Sequence, residues 1–567
     1  MPRLVLCAIL FAPVCLAAID EIEIREHAQR SVNLLQKVAA QWKSPCFSCH
    51  HQTMPAMAIE AARAHGLTVD EVAAQAAAQK TFRYLSDLDA AVRVDALIDP
   101  AVSEGYGLLG AHASHVEPNL STATYARHIA RAQRADGHWA TFDARPPHSA
   151  GLFVATAVGA RAVSLYTPVQ MGNEKREALE RARKWLASAQ PASTEDLTYR
   201  LLGLHWTGAS SEDQLAAARD LVAAQRADGG WSQVTALNES DAYSTAQALV
   251  ALRRAGGWER SHADFQRGAA WLAKSQAADG SWHVRTRIHT PAPASPPYFE
   301  SGFPYGRDQF ISCAATAWAV MALAEALPVA SPVSKALPLS GVKPMQAAAW
   351  METALFGAAG DMTAFDPRAA TVQGTTALMM AADQPAKVRA LIKRGASVRA
   401  TAKSGYDALM IASLFPNNRE TLQLLIAAGV SAKARPGVRF KASALPIAAF
   451  HGDAEMVSFL IDKGADPNLP FMALGQFPAS PLSIATQLDD AEVVRTLAAK
   501  GAKLDIKDDN GMTDLSWAAL LHKDAALKAL IDLGSDKRVK DKFGLTPVDH
   551  TRAISHSSAL TGRLLEQ

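Results

Sequence analysis

Cys46-Phe47-Ser48-Cys49-His50 is the segment whose residue types and spacing point most directly to chemistry. Cys-x-x-Cys-His is the attachment signature of c-type haem: two thiols add to the vinyl groups and the following imidazole ligates the iron. The spacing lets one turn of chain reach both vinyls and the metal. Cys46 and Cys49 are thus candidate covalent anchors of a haem c, and His50 its candidate metal ligand. Met54 and Met57 are candidate sixth ligands, and a thioether there would raise the potential. Both also suit the apolar face of a helix, whose geometry makes a ligand so near in sequence awkward. His112, His115, His148 and His289 are the alternatives. Two other readings stay open: a Cys46–Cys49 disulfide or dithiol, or zinc held by the cysteines with His50 or His51. Zinc would lack a second Cys or His pair at comparable spacing.

Haem c is attached outside the cytoplasm, and the N-terminus agrees with export. Arg3 gives a short positive region, Leu4 to Leu16 an apolar one, and Ala17-Ala18 a small-residue cleavage site. Residues 1–18 therefore read as a signal peptide, implying a periplasmic or secreted protein. Cys15 raises a lipoprotein reading, but Pro13-Val14 before it fits a lipobox poorly. After cleavage Cys46, Cys49 and Cys313 remain, too few for a disulfide-rich scaffold. No later segment is apolar for long enough to predict a transmembrane helix.

The chain has 567 residues, 49% hydrophobic and 20% charged, with a net charge of +2. That balance argues against nucleic-acid binding. Abundant alanine and scarce Val/Ile/Thr runs predict an all-α protein. The length suggests several domains.

A repeat organises the first half. Gln133-Arg-Ala-Asp-Gly137-His-Trp139, Gln225-Arg-Ala-Asp-Gly229-Gly-Trp231 and Gln276-Ala-Ala-Asp-Gly280-Ser-Trp282 each follow an amphipathic helix and precede a more apolar one. Weaker copies bring the total to about six hairpins over residues 22–330, with wet outer helices and buried inner ones. The first pairs 31–42 with 54–66, placing Cys46–His50 in a loop at one mouth of a ring. These motifs resemble the QW repeats of squalene–hopene cyclases and the related α/α toroid of protein prenyltransferases. The resemblance implies that Gln, Gly and Trp are structural staples. It does not carry over the activity. The cyclases' Asp-x-Asp-Asp-Thr-Ala acid motif is reduced here to Asp241-Ala-Tyr243-Ser244-Thr245-Ala246, without the carboxyl cluster a carbocation cascade needs. No magnesium–diphosphate motif or prenyltransferase-like zinc site is recognisable in this half, so whether the protein is an enzyme stays open.

The last mouth loop, residues 282–313, carries Arg285, Arg287, His289, Tyr298, Glu300, Tyr305, Arg307 and Asp308. Long ordered loops are usually functional. Arg285, Arg287 and Arg307 are candidates for binding haem propionates or another anion; simple pairing with Glu300 and Asp308 is the plainer alternative. Ring closure sets hairpin six beside hairpin one, predicting a site shared with Cys46–His50.

Past a Pro/Ala/Ser-rich linker at 331–350, glycines recur at 395, 429, 464, 501 and 534, with leucines at 378, 409, 445, 482 and 515. Thr376-Ala-Leu378 opens one unit and Leu391-Ile-Lys-Arg-Gly395 ends it. This resembles ankyrin repeats over residues 351–567, with 351–362 as a degenerate cap, and implies a protein partner. The expected protein is an all-α toroid followed by an ankyrin solenoid. Its expected function is haem-based electron transfer or redox sensing, with a non-catalytic scaffold and an enzyme using the ring cavity as alternatives.

Overall fold

The computed structural model describes residues 19–41, 49–94, 100–141, 147–148, 151–287, 300–330, 347–473, 477–552 and 559–566. Among them the first half forms α1 (Glu21–Gln41), α2 (Met54–Ala64), α3 (Glu71–Phe82), α4 (Leu88–Arg93), α5 (Gly105–Ala113), α6 (Leu120–Arg131), α7 (Leu152–Tyr166), α8 (Gly172–Ser188), α9 (Thr194–Trp206), α10 (Ser211–Ala223), α11 (Ala242–Arg254), α12 (Ala263–Ser275) and α13 (Gln309–Glu325). Helix type follows pattern. Outer helix α8 buries only Ala178, Ala182 and Leu186, a single i, i+4 stripe. Inner helix α7 buries residues all round, from Phe153 to Tyr166. The inner helices pack in cyclic order α2–α5–α7–α9–α11–α13 and back to α2. The first outer helix starts at Glu21, ten residues earlier than its periodicity suggests, and α4 occupies what reads as loop.

The Gln-Gly-Trp residues tie each hairpin to the next. Trp139, Trp231 and Trp282 bury their rings and donate Nε1–H to the carbonyls of Ile129, Leu221 and Leu272. Gln133 Nε2 bridges Gly137 O and Ala178 O, linking the motif to α8. Gln276 does the same between Gly280 O and His27 O, closing the ring from the last hairpin onto α1. Glycine is demanded twice over. Gly137 has φ +108°, and a Cβ there would lie 2.4 Å from Arg181 O; at Gly280 (φ +88°) it would lie 2.8 Å from the Arg30 carbonyl carbon.

The second half stacks short helix pairs. Thr376, Asp407, Ser480, Thr513 and Thr546 cap first helices, each accepting from an N–H three residues on. The recurring glycines each follow a second helix with positive φ. The longest interval, 464 to 501, holds a two-stranded finger, β1 (Phe471–Ala473) antiparallel to β2 (Phe477–Ala479). Helix Ala349–Phe356 starts within the stretch read as the end of the linker. Residues 331–346 lie outside the described residues.

Ring and solenoid share a buried junction. Leu88, Val92 and Val94 join the solenoid's own core. Arg127, fully buried, donates through Nη1 to the carbonyls of Leu355 and Met380 (3.2 Å each) and lies 3.4 Å from Asp383. Arg131 bonds Asp383 and Glu174. His128 stacks on Phe415 at 4.9 Å, and Arg134 donates to His451 O and lies 3.3 Å from Asp490. Met380, Asp383, Phe415, His451 and Asp490 sit at equivalent places, where a first helix turns into a second. One edge of the solenoid is thus covered by the ring. Burial pulls the Arg127 guanidinium down to about 10. Burial alone would raise the Asp383 carboxyl, but Arg127 and Arg131 outweigh it and hold it below its ordinary value.

Candidate functional site

The haem-type motif falls mostly outside what the structure describes. Cys46 lies outside the described residues, as do the side chains of Cys49 and His50. The backbone from Cys49 to Thr53 makes a π-helical turn running into α2. Met54 is fully buried, and Met57 is half-buried against the core, so both pack in the first inner helix. His112 is exposed on α5, and His115 lies 3.2 Å from Glu60. His289 and Tyr298 fall outside the described residues. Among the described residues no group of three or more His, Cys, Asp or Glu is placed to hold a metal ion.

The loop arginines separate. Arg285 and Arg307 are exposed, while Arg287 turns in towards α9 and α11. Burial lowers its guanidinium, opposed by the charges of Glu195, Asp241 and Asp196. Asp308 takes neither arginine as its partner: it bonds His283 Nε2 (2.9 Å) and Thr286 N (3.0 Å). His283 stacks on Tyr305 at 4.5 Å. Glu300 accepts from Gly302 N.

The Asp241-Ala-Tyr243-Ser-Thr245 segment is structural in two parts and central in one. Asp241 caps α11 by accepting from Ser244 N (2.9 Å). Burial pushes its carboxyl up to about 6. Thr245 Oγ1 accepts from Trp231 N and holds the staple. Tyr243 points into the ring and donates to Glu195 Oε1 (2.8 Å). Its single proton is thereby spent, so its oxygen accepts from His148 Nδ1 at 2.9 Å.

The ring centre is filled. Tyr199 of α9 meets Tyr106 of α5, hydroxyl to hydroxyl at 2.5 Å, and packs edge-on against Trp318 of α13. Neither α5 nor α13 neighbours α9 in the ring, so these contacts pass through its middle. All three side chains are buried. Towards the solenoid the ring opens into a cleft of about 820 Å³, lined on one side by Glu195, Tyr243 and Arg287 and on the other by Leu488–Ala491 and Leu521–Lys523. Its lining mixes both signs of charge and few aromatics. Asp196 and Asp490, which line it, are occupied as acceptors at helix starts.

A family model described as ankyrin repeats (3 copies) matches residues 445–541. Those residues are ankyrin repeats. Human SH3 and multiple ankyrin repeat domains protein 2 is 40% identical over 104 residues, which is 18% of this chain and 6% of that protein. Protein 1 of the same name in mouse is 41% identical over 103 residues, 18% of this chain and 5% of its own length. This chain therefore spans 6% or less of these relatives. Among solved structures, the ankyrin repeat domain of human ASB11 aligns with 19% identity and a TM-score of 0.34, covering 39% of this chain and 97% of that one. The Bcl-3 ankyrin repeat domain aligns with 19% identity and a TM-score of 0.31, covering 39% and 99%. Ankyrin repeats are a protein-interaction module. Among the described residues no helix is long and apolar enough to cross a membrane.

Sequence reasoning missed the Tyr106–Tyr199–Trp318 plug, the Glu195–Tyr243–His148 chain and the Arg127–Asp383 junction. The signal for the first two was a tyrosine or acid inside helices that are otherwise apolar. Nothing in the sequence paired Arg127 with Asp383.

Proposed function

We propose that the protein is an interaction scaffold in which the ring supports and orients the ankyrin array rather than carrying out catalysis. The observation that carries this reading is the plugged ring centre, where Tyr106, Tyr199 and Trp318 meet across the lumen. A cavity-based enzyme needs a concave, mostly apolar site. Here the ring centre is taken by side chains, the cleft beside the solenoid is lined by charges of both signs, and Tyr243 spends its proton on Glu195. The test is a thermal-shift and fluorescence titration of the full chain with small apolar ligands. The scaffold reading expects no saturable binding to the wild type and new binding to Trp318→Ala, which opens a cavity. Tight binding to the wild type would return the ring-cavity enzyme.

A second reading, exported haem c attachment, rests on the Cys46–His50 spacing and on the π-helical turn at Cys49–Thr53, a geometry often found at functional sites. Cys46 and Cys49 would hold the haem and His50 would ligate its iron, which would supply one-electron chemistry. A pyridine haemochrome spectrum and intact mass of chain matured with a haem c assembly system decide it. A covalent adduct lost in Cys46→Ala supports attachment, and unmodified mass excludes it.

A further inference from the structure

The ring covers the edge of the array where first helices turn into second ones. The opposite ends of the first helices lead back into the fingers, several of which are joined tip to tip. Lys403 N donates to Gln373 O (2.8 Å), Arg439 N to Ser404 O (2.9 Å), and Lys542 N to Asn510 O (2.9 Å). Three of the tips are thus fastened to the tip before them.

That row is apolar and charged in a pattern. Val372 is 87% exposed, Phe543 54% and Ile506 45%. Residues 431–442 carry Lys433, Arg435, Arg439 and Lys441 and no acid. Arg435 pairs with Asp407 at 2.8 Å, and Lys433, Arg439 and Lys441 are exposed. Phe440 and Lys441 both have positive φ (59° and 51°), a strained pair that persists only where surrounding structure holds it. Arg439 lies over the Phe440 ring at 4.8 Å. The next charged tip carries both signs, with Asp505 and Asp509 exposed beside Lys503 and Lys507. The last is basic again: Lys540 and Lys542 are exposed beside Phe543, whereas Asp541 is buried against His550.

We propose that this finger row docks an extended, acidic peptide segment of a protein partner, with apolar residues interleaved among its carboxylates. The proposal rests on the scaffold reading and names its partner's chemistry. The basic tips supply carboxylate pairing and the exposed Val372, Ile506 and Phe543 supply apolar contacts. Asp505 and Asp509, set between the two basic tips, would face like charge on a uniformly anionic membrane.

The experiment is fluorescence anisotropy of the full chain with a labelled peptide of alternating Glu and Leu, about 15 residues long. A Glu/Ser peptide and phosphatidylserine vesicles serve as comparisons. Saturable binding to the Glu/Leu peptide is expected, weakening between about 0.05 and 0.5 M salt. Arg439→Glu/Lys441→Glu and Lys540→Glu/Lys542→Glu should each lower affinity about tenfold, and Phe543→Ser several-fold. Retained thermal unfolding shows that these variants fold, and a Lys/Leu peptide should bind the reversed variants better than it binds the wild type. No binding, equal binding to Glu/Ser peptide, or stronger binding to vesicles would overturn the proposal. If a partner still cross-links to the fingers while the peptide fails, the peptide chemistry is wrong and the scaffold reading stands.

Discussion

Arg127 Nη1 and Asp383 Oδ2 lie 3.4 Å apart, one from the ring and one from the array, and both side chains are inaccessible to solvent. Around them Arg131 also bonds Asp383, and Lys387 donates to the carbonyls of Ala354 and Leu355. One carboxylate therefore balances several buried cations. Removing it should cost far more than any exposed pair. Asp383→Asn is expected to destabilise the protein by about 3–5 kcal/mol in urea unfolding, because it leaves Arg127 buried without a counter-charge. A loss under about 1 kcal/mol, as for a surface pair, would show that the junction is not closed in solution.

The staple glycines give a second test. At Gly137 an added Cβ meets a backbone oxygen, not the movable end of a side chain. Gly137→Ala should cost about 2 kcal/mol or more from strain alone. Gln276→Ala should cost about 1–3 kcal/mol by removing the amide that bridges His27 O, Ser31 Oγ and Gly280 O. It should also speed amide exchange in α1, the helix that closes the ring. Exchange unchanged in α1 would mean closure does not depend on Gln276.

A pH dependence follows from Asp514 in the array, where burial pushes the carboxyl up to about 7 from an ordinary 3.8. The unfolded chain releases this proton near 3.8, while the folded chain keeps it until about 7. The folded state thus holds more protons between these values, and stability falls as pH rises across that window. Asp514→Asn should match the wild type near pH 3.5 and exceed it at pH 8 by on the order of 3 kcal/mol. Parallel pH curves for the two proteins would contradict this.

At the ring centre, Tyr199→Phe leaves the Tyr106 hydroxyl buried without its partner. It should cost about 1–3 kcal/mol and leave partner binding unchanged. Loss of partner binding at unchanged stability would assign the lumen a direct role.

Much of this fold was legible in residue patterns. The Gln-Gly-Trp spacing marked the hairpins because a tryptophan folding back over a positive-φ glycine needs both residues at fixed offsets. Gly395 to Gly534 set the register of the array for a similar reason. Periodicity found α7 and α8 but shortened α1, whose first ten residues, rich in Glu and Arg, hide the stripe made by Ile24 and Ala28. The role of the Asp241–Thr245 segment was half legible. That it lacks a carboxyl cluster showed in the sequence, but not that Asp241 would cap a helix and Tyr243 would spend its proton on Glu195. Contacts such as Arg127–Asp383 span 256 residues and depend on how two modules dock, which no local spacing encodes. The loop arginines read alike in sequence, yet Arg287 is drawn in by three carboxylates while Arg285 and Arg307 stay in solvent.

The most direct measurement is a photo-cross-linking scan of the full chain in its native cell. A photoreactive residue replaces Val372, Lys403, Lys542 or Phe543 on the fingers, or Val72 or Val169 on the exposed outer ring. The account predicts one discrete partner adduct from the finger positions, reproduced with the purified partner, and none from the ring. Adducts confined to the ring, with silent fingers, would contradict it.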